Sequence, residues 1–294
     1  MTEACQLADG AQPVILDVDR LCKHYPVFSR GLFRRQIDTV KACDDISFSV
    51  ARGETLGIVG ESGSGKTTLG RALLRATRPS SGHVWYYPEQ RDAGVTTPAA
   101  AERVDLAQLD DAALLPLRRE IQMIFQDPFA SLNPRWTVQQ IIAEPLAIHG
   151  LARGQEREDR VVAMMKRVGL RPEYRTRYPH AFSGGQRQRI GIARALILRP
   201  RLVVADEAVS ALDVSVQAQV INLLADLQAE FGLTYLFIAH DLSVVRHICD
   251  RVAVLRHGKL IELAETERLF EAPEHEYTRG LLDAVLQPDP SLYR

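Results

Sequence analysis

The sequence predicts an α/β fold with a mainly parallel core sheet, an N-terminal antiparallel β subdomain and a helical subdomain. Three observations predict it. Short apolar runs that suit buried strands alternate with stretches carrying apolar residues at helical spacing, the order that builds a parallel sheet. One of these runs, Leu56-Gly57-Ile58-Val59, leads directly into Gly60-Glu61-Ser62-Gly63-Ser64-Gly65-Lys66-Thr67-Thr68, with Leu69, Ala72 and Leu73 at helical spacing behind it. Ahead of it, Val14 to Val18 and Ile46 to Val50 alternate apolar and polar residues, as half-buried antiparallel strands do.

The elements follow in order. The first run ends at Lys23-His24-Tyr25-Pro26, and Ser29 to Gln36, with Arg30, Arg34 and Arg35, is expected to be a solvated basic loop. Ala51-Arg52-Gly53 turns the chain into the strand before the glycine-rich string. Pro79-Ser80-Ser81-Gly82 is a turn and Val84 to Tyr87 a short strand. Pro88 to Ala113, rich in Ala, Asp, Thr and Pro, is expected to be an exposed insertion with room for a short helix. The apolar strand Ile121 to Phe125 ends at Gln126. Thr137 to Ile148 and Glu158 to Val168 are helices by spacing, placing a helical lobe at about residues 127–185. A long helix from Gly184 to Leu198 stops at Pro200. The strand Arg201 to Asp206, the helix Val214 to Glu230, the strand Thr234 to Ala239 and the short helix Leu242 to Cys249 complete the alternation. Val252 to Leu255 and Leu260 to Leu263 pair across Arg256-His257-Gly258-Lys259.

The chemistry begins at Gly60, where the string fits G-x-x-x-x-G-K-[ST] between a strand and a helix. Glycines let backbone N–H groups turn inward around phosphate oxygens, and the helix start adds its positive dipole end. Lys66 is placed to reach the β- and γ-phosphates of a nucleotide and Thr67 to offer its hydroxyl to Mg²⁺. Asp206 and Glu207 close an apolar strand at the sheet edge where that ion sits. Asp206 can hold it, and Glu207 can orient or deprotonate an attacking water. A second glycine-rich string, Phe182-Ser183-Gly184-Gly185-Gln186, opens a helix with Ser183 as cap. It can bind an anion or be a plain N-cap; one nucleotide needs one cradle, so the second suits a nucleotide held by another subunit.

In order and spacing, Gly60–Thr68, Gln126, Phe182–Gln186, Asp206-Glu207, Ser210-Ala211-Leu212-Asp213 and His240 resemble the Walker A, Q-loop, signature, Walker B, D-loop and switch histidine of ABC transporter ATP-binding subunits. The likeness covers about residues 14–265, and Phe182 replaces the usual signature Leu. It narrows at Gln126 to Arg135, Tyr178-Pro179-His180, Asp213 to Gln217 and the tail Glu274 to Arg279. These resemble the dipeptide/oligopeptide (and nickel) importer branch, in its second-ATPase type.

That resemblance implies a P-loop NTPase fold, a nucleotide-binding domain over 14–265 and a helical tail over 266–294. It implies ATP and Mg²⁺, with Tyr25 stacking on adenine and Gln126 touching ion and water. His240 bonds the γ-phosphate and holds Glu207. Ser183, Gly184, Gly185, Gln186 and Asp213 serve a nucleotide in trans, although Asp213 can equally cap its own helix. It implies a paralogous ATPase partner, two membrane permease subunits and an extracytoplasmic solute-binding protein, with the chain peripheral on the cytoplasmic face of the membrane. Uptake of peptides or a similar small solute follows, with nickel, opines or antibiotics as alternatives and a soluble non-transport ABC ATPase as a rival. Some members carry a cysteine-rich iron–sulfur segment; with no Cys after Cys249, no cluster is expected.

Composition agrees with these expectations. A formal net charge of -1 draws the whole chain to no nucleic acid. Cys5, Cys22, Cys43 and Cys249 form no C-x-x-C pair and suit reduced, structural thiols. The first residues, with Glu3 and Asp9, lack the basic start and apolar stretch of a secretory leader, and no apolar run approaches the ~20 residues that span a bilayer.

Overall fold

A computed structural model describes residues 13–29, 36–88 and 103–286 of the 294-residue chain. Most of the basic loop (30–35) and of the insertion (89–102), the first residues with Cys5, Glu3 and Asp9, and the last stretch of the tail (287–294) lie outside the described residues.

Six strands make the core sheet: β3 (Thr55–Val59), β6 (Ile121–Ile124), β7 (Leu202–Asp206), β8 (Thr234–Ile238), β9 (Arg251–Arg256) and β10 (Lys259–Glu265). Their order is β10-β9-β3-β8-β7-β6, parallel throughout except for the β9–β10 hairpin. The period of two divides each central strand between two cores. Leu56, Ile58, Leu202, Val204, Leu236 and Ile238 face one, while Val203, Ala205, Tyr235 and Phe237 face the other. Each fully buried Val or Leu side chain contributes about 1.5–3 kcal/mol. Alternate side chains of one strand thus hold both faces of the sheet covered, as parallel sheets require.

The first core is closed by α1 (Lys66–Leu73) and by a four-stranded antiparallel sheet, order β2-β1-β4-β5. It contains β1 (Val14–Phe28), β2 (Gln36–Ala51), β4 (Ser81–Tyr86) and β5 (Val104–Asp105). Two expectations change here. The first strand does not end at Lys23-His24-Tyr25-Pro26 but runs on to Phe28 beside β2. Pro26 is tolerated because β4 leaves β1 at Cys22, so the proline lies where β1 has a partner on one side only. The end of the insertion is structured as well: β5 pairs with β4, Val104 and Leu106 are buried, and α2 (Asp111–Leu117) follows, capped by Asp110.

The second core holds the helical lobe, α3 (Val138–Ile148) and α4 (Gly154–Arg167) with two 3₁₀ turns. Also on this face are α5 (Gly184–Leu196), α6 (Val214–Phe231) and α7 (Leu242–Ile248), then α8 (Thr266–Glu271) and α9 (Glu276–Leu286). Leu269 and Leu282 bury the last two helices against that same core. No helix among the described residues is long and apolar enough to cross a membrane.

Candidate functional site

The carboxyl ends of β3, β6, β7 and β8 deliver the principal side chains to one edge of the sheet. Gly60 and Gly65 bound the loop after β3, and both need to be glycine. At positive φ, a Cβ would stand 2.2 Å from the Leu255 carbonyl oxygen at Gly60 and 2.0 Å from that of Ala42 at Gly65. Between them Glu61, Ser62 and Gly63 are exposed, while Ser64 is buried and its hydroxyl has no partner. Lys66 is 5% exposed and folds back on the loop, its Nζ donating to the carbonyls of Gly60 (2.8 Å) and Glu61 (2.9 Å). Burial pulls its ammonium below the ordinary pKa, and Glu207 and Asp206 pull it back up. Thr68 follows in the first turn of α1.

Thr67 Oγ1 donates to Asp206 Oδ1 at 3.0 Å, across the gap between α1 and the end of β7. Burial raises the Asp206 carboxyl above its usual range, against the opposing pull of the Thr67 hydrogen bond and of Arg71 and Lys66. The next residue, Glu207, adopts a left-handed backbone at φ 45°. That conformation costs a non-glycine on the order of 1–3 kcal/mol and is over-determined here. Its N–H donates to Ile238 O (2.9 Å), and its carbonyl accepts from Ser210 N–H (3.1 Å) and the Ser210 hydroxyl (3.0 Å). The turn aims the carboxylate away from the strand. There Gln126 Nε2 donates to Glu207 Oε2 at 2.7 Å, and His240 Nδ1 stands 3.7 Å from the same oxygen, beyond hydrogen-bond length. Gln126 thus grips the carboxylate of Glu207, not the Thr67–Asp206 pair.

Tyr25 lies on β1, opposite Val40, two residues from the Ala42 that abuts Gly65. Its ring is 40% exposed, with the Lys23 ammonium 4.7 Å from its centroid.

The remaining expected residues form a separate group. Ser183 caps α5 in a capping box: Gln186 N–H donates to its hydroxyl, and Ser183 N–H donates to Gln186 Oε1. Gly184 and Gly185 pack on the segment leading into α6. A Cβ at Gly185 would come within 2.3 Å of Val216 Cγ1, so this glycine is required by packing inside the chain. Asp213 caps α6, accepting from Val216 N–H (2.9 Å) and the Ser215 hydroxyl (3.0 Å), bonds that hold its carboxyl below the usual range. Among the described residues, no hydrogen bond or ion pair joins this group to Gly60–Thr68.

Two links were not foreseen. Arg187, next to Gln186, stacks its guanidinium 3.9 Å from the centroid of Phe129, and Arg194 donates to Ser131 O at 2.6 Å. Both tie the loop after Gln126 to α5. The other is Tyr277, whose hydroxyl accepts from Glu61 N–H at 3.2 Å. No periodicity or spacing signals a contact between residues that far apart. Elsewhere Cys22, His24 and Asp44 bring three donor atoms within 4.8 Å of one another, but Asp44 is already held by His24, Lys41 and Lys259 in an ion-pair network.

A family profile described as ABC transporter matches residues 43–210. The oligopeptide transport ATP-binding protein AppF of Bacillus subtilis is 52% identical over 275 residues, 93% of this chain and 79% of that one. The chain belongs to the ABC transporter family. The glutathione import ATP-binding protein GsiA of Salmonella paratyphi A is also 52% identical, over 95% of this chain but only 42% of its own length. Among solved structures, the ATP-binding cassette MJ0796, a dimer bound to ADP and Pi after hydrolysis, superposes with a TM-score of 0.71 at 27% identity. The match covers 86% of this chain and 99% of that one. The chain is therefore an ABC-type, transport-coupled ATPase subunit.

Proposed function

We propose that this ABC subunit hydrolyses ATP at a site completed by a second subunit, and thereby drives uptake of peptides or a similar small solute through a membrane permease. In this reading Lys66 leaves the Gly60 and Glu61 carbonyls for the phosphates, and Tyr25 offers the free face of its ring to adenine. Thr67 and Asp206 would hold Mg²⁺, with Gln126 reaching toward it from Glu207. The donors fit such an ion: two hard oxygens side by side, one of them a buried carboxylate whose burial outweighs the pull of Arg71 and Lys66. When bound, the ion offsets phosphate charge. Glu207, steadied by Gln126, orients the attacking water and accepts its proton as the water oxygen bonds to phosphorus and the bond to ADP breaks. His240 supports that carboxylate and reaches the γ-phosphate.

The trans half of the site would be Ser183, Gly184, Gly185, Gln186 and Asp213 of a paralogous subunit, so that closure gates hydrolysis. The carrying observation is the separation of these residues from the phosphate cradle, combined with the exposure of Ser183 and Asp213, whose side chains are satisfied locally. A domain over 14–265, with its helical subdomain at about 127–185, does the nucleotide work. The tail at 266–294 is its branch-specific addition. A groove of about 710 Å³ beside α3, lined by Trp136, Gln140, Ala143, Ala147 and Ile148, supports permease docking on the helical lobe. The names of AppF and GsiA, oligopeptide transport and glutathione import, support a peptide-like solute; an extracytoplasmic binding protein to deliver it and a peripheral position on the cytoplasmic face of the membrane complete this reading.

Ser183→Arg tests the two-subunit site. ATP binding by the isolated chain should stay unchanged, while ATP-dependent dimerisation in size-exclusion chromatography and turnover should both be lost. Full turnover from a chain that remains monomeric would overturn the proposal. Uptake of labelled peptide by cells whose copy carries Glu207→Gln should stop; persistence in cells where the variant's turnover is shown to be lost would mean that peptide does not enter through this ATPase.

A further inference from the structure

We propose that Tyr277, on the C-terminal helix α9, is a positioning residue for the phosphate loop, holding in place the peptide unit from which Lys66 is released when nucleotide binds. The proposal rests on Gly60–Thr68 being the nucleotide cradle.

The planar unit between Gly60 and Glu61 is bonded at both ends. Its carbonyl accepts from Lys66 Nζ at 2.8 Å, and its N–H donates to Tyr277 Oη at 3.2 Å. The following carbonyl, that of Glu61, also accepts from Lys66 (2.9 Å) and from Ser64 N–H (3.1 Å). When Lys66 turns to the phosphates, two of these bonds break together. Tyr277 is then the tertiary contact that keeps the first peptide of the loop in its orientation, since a peptide plane pinned at one end cannot flip freely.

The tyrosine is itself anchored from several sides. The Arg256 guanidinium lies 4.7 Å from its ring centroid, at the end of the strand whose Val254 pairs with Val59 just before the loop. Tyr277 N–H donates to His275 Nδ1 at 3.0 Å. Glu262 on β10 accepts from the N–H groups of Glu274 (2.8 Å) and His275 (3.1 Å), fixing the entry to α9. One turn further on, Leu282 is buried in the core. The tail is thus built to hold the hydroxyl where it is. A cradle ordered before its ligand arrives binds with less entropic cost. Linkage requires the converse: nucleotide in the loop must strengthen the docking of α9.

Tyr277→Phe removes the acceptor and keeps the ring over Arg256. In the full chain, ATP and ADP affinities should fall about three- to tenfold, the span of one net hydrogen bond. In the assembled transporter KM for ATP should rise by a similar factor and kcat should stay within about twofold. Hydrogen exchange on the unmodified chain supplies a second readout that needs no variant: ADP should slow amides of residues 60–66 and of residues 276–282 together. Unchanged affinity in the Phe variant, a change in kcat alone, or ADP protection confined to the loop would each overturn the role of Tyr277. If the parent chain binds neither ATP nor ADP, the nucleotide reading fails first, and the two failures are told apart.

Discussion

The proposed nucleotide cradle, Gly60–Thr68 with the strand ends beside it, and the Ser183–Asp213 face differ in how far along the chain their bonds reach. In the cradle, Thr67 bonds to Asp206, Gln126 to Glu207 and Glu61 to Tyr277, all partners distant in sequence. At the Ser183–Asp213 face, each polar side chain bonds within three residues of itself: Ser183 with Gln186, Asp213 with Ser215 and Val216. One surface is assembled by the tertiary fold and carries buried charge, Lys66 beside Asp206. The other has its polar side chains satisfied by local hydrogen bonds, and reaches distant parts of its own chain through packing, as Gly185 does against Val216. In the proposed reading, a phosphate and a cation would bind at the first surface, whereas the exposed Ser183 and Asp213, satisfied locally, would approach the ligand of another subunit.

Substitutions at the two surfaces should therefore fail differently. The largest effect is expected at Glu207. Glu207→Gln keeps the hydrogen-bonding shape but cannot take a proton, so turnover should fall on the order of 10²- to 10⁴-fold while ATP binding persists. Measuring single-turnover hydrolysis beside nucleotide binding checks it, and near-normal turnover would take Glu207 out of the reaction.

Gly185→Ala strikes the other surface through packing. The added methyl meets Val216 Cγ1, and overpacking of this kind costs about 1–3 kcal/mol, so the melting temperature should drop by several degrees before nucleotide is added. An unshifted melt with dimerisation lost would mean that Gly185 serves the partner's ligand alone.

The smallest effect runs in the opposite direction. Asp206→Asn removes a buried charge, and the nucleotide-free chain should gain about 1 kcal/mol at neutral pH, or roughly 2–4 °C, while Mg²⁺-dependent turnover is lost. The sign follows from the raised carboxyl. Between 3.8 and that raised value the folded state binds more protons than the unfolded state, so this residue's contribution to stability declines as pH rises through that window. The advantage of the Asp206→Asn variant should accordingly shrink on acidification. A melting difference that does not vary with pH would show that the carboxylate is already compensated.

Much of the cradle was legible because its members sit at strand ends, where an apolar run followed by a polar residue marks the place. Asp206 and Glu207 announce themselves this way, Lys66 and Thr67 through the glycine-rich string that opens α1, and Ser183 through the cap-and-glycine pattern at a helix start. The partner of Gln126 was not legible: an exposed glutamine after a strand has many options, and only the left-handed turn at Glu207 decides that its carboxylate is the one within reach. The long reach of β1 was hidden too, because Lys23 to Pro26 looks like a strand end until β2 is seen running alongside it.

Local pattern by itself determined where strands, helices and the two glycine-rich strings lie, since apolar spacing and turn chemistry act over a few residues. Only the tertiary structure decided that Gly185 is kept for Val216, that Lys66 rests on the carbonyls of its own loop, and that Tyr277 clasps Glu61. Contacts between segments scores of residues apart depend on how a whole sheet and its covering helices close, and no short stretch of chain encodes that.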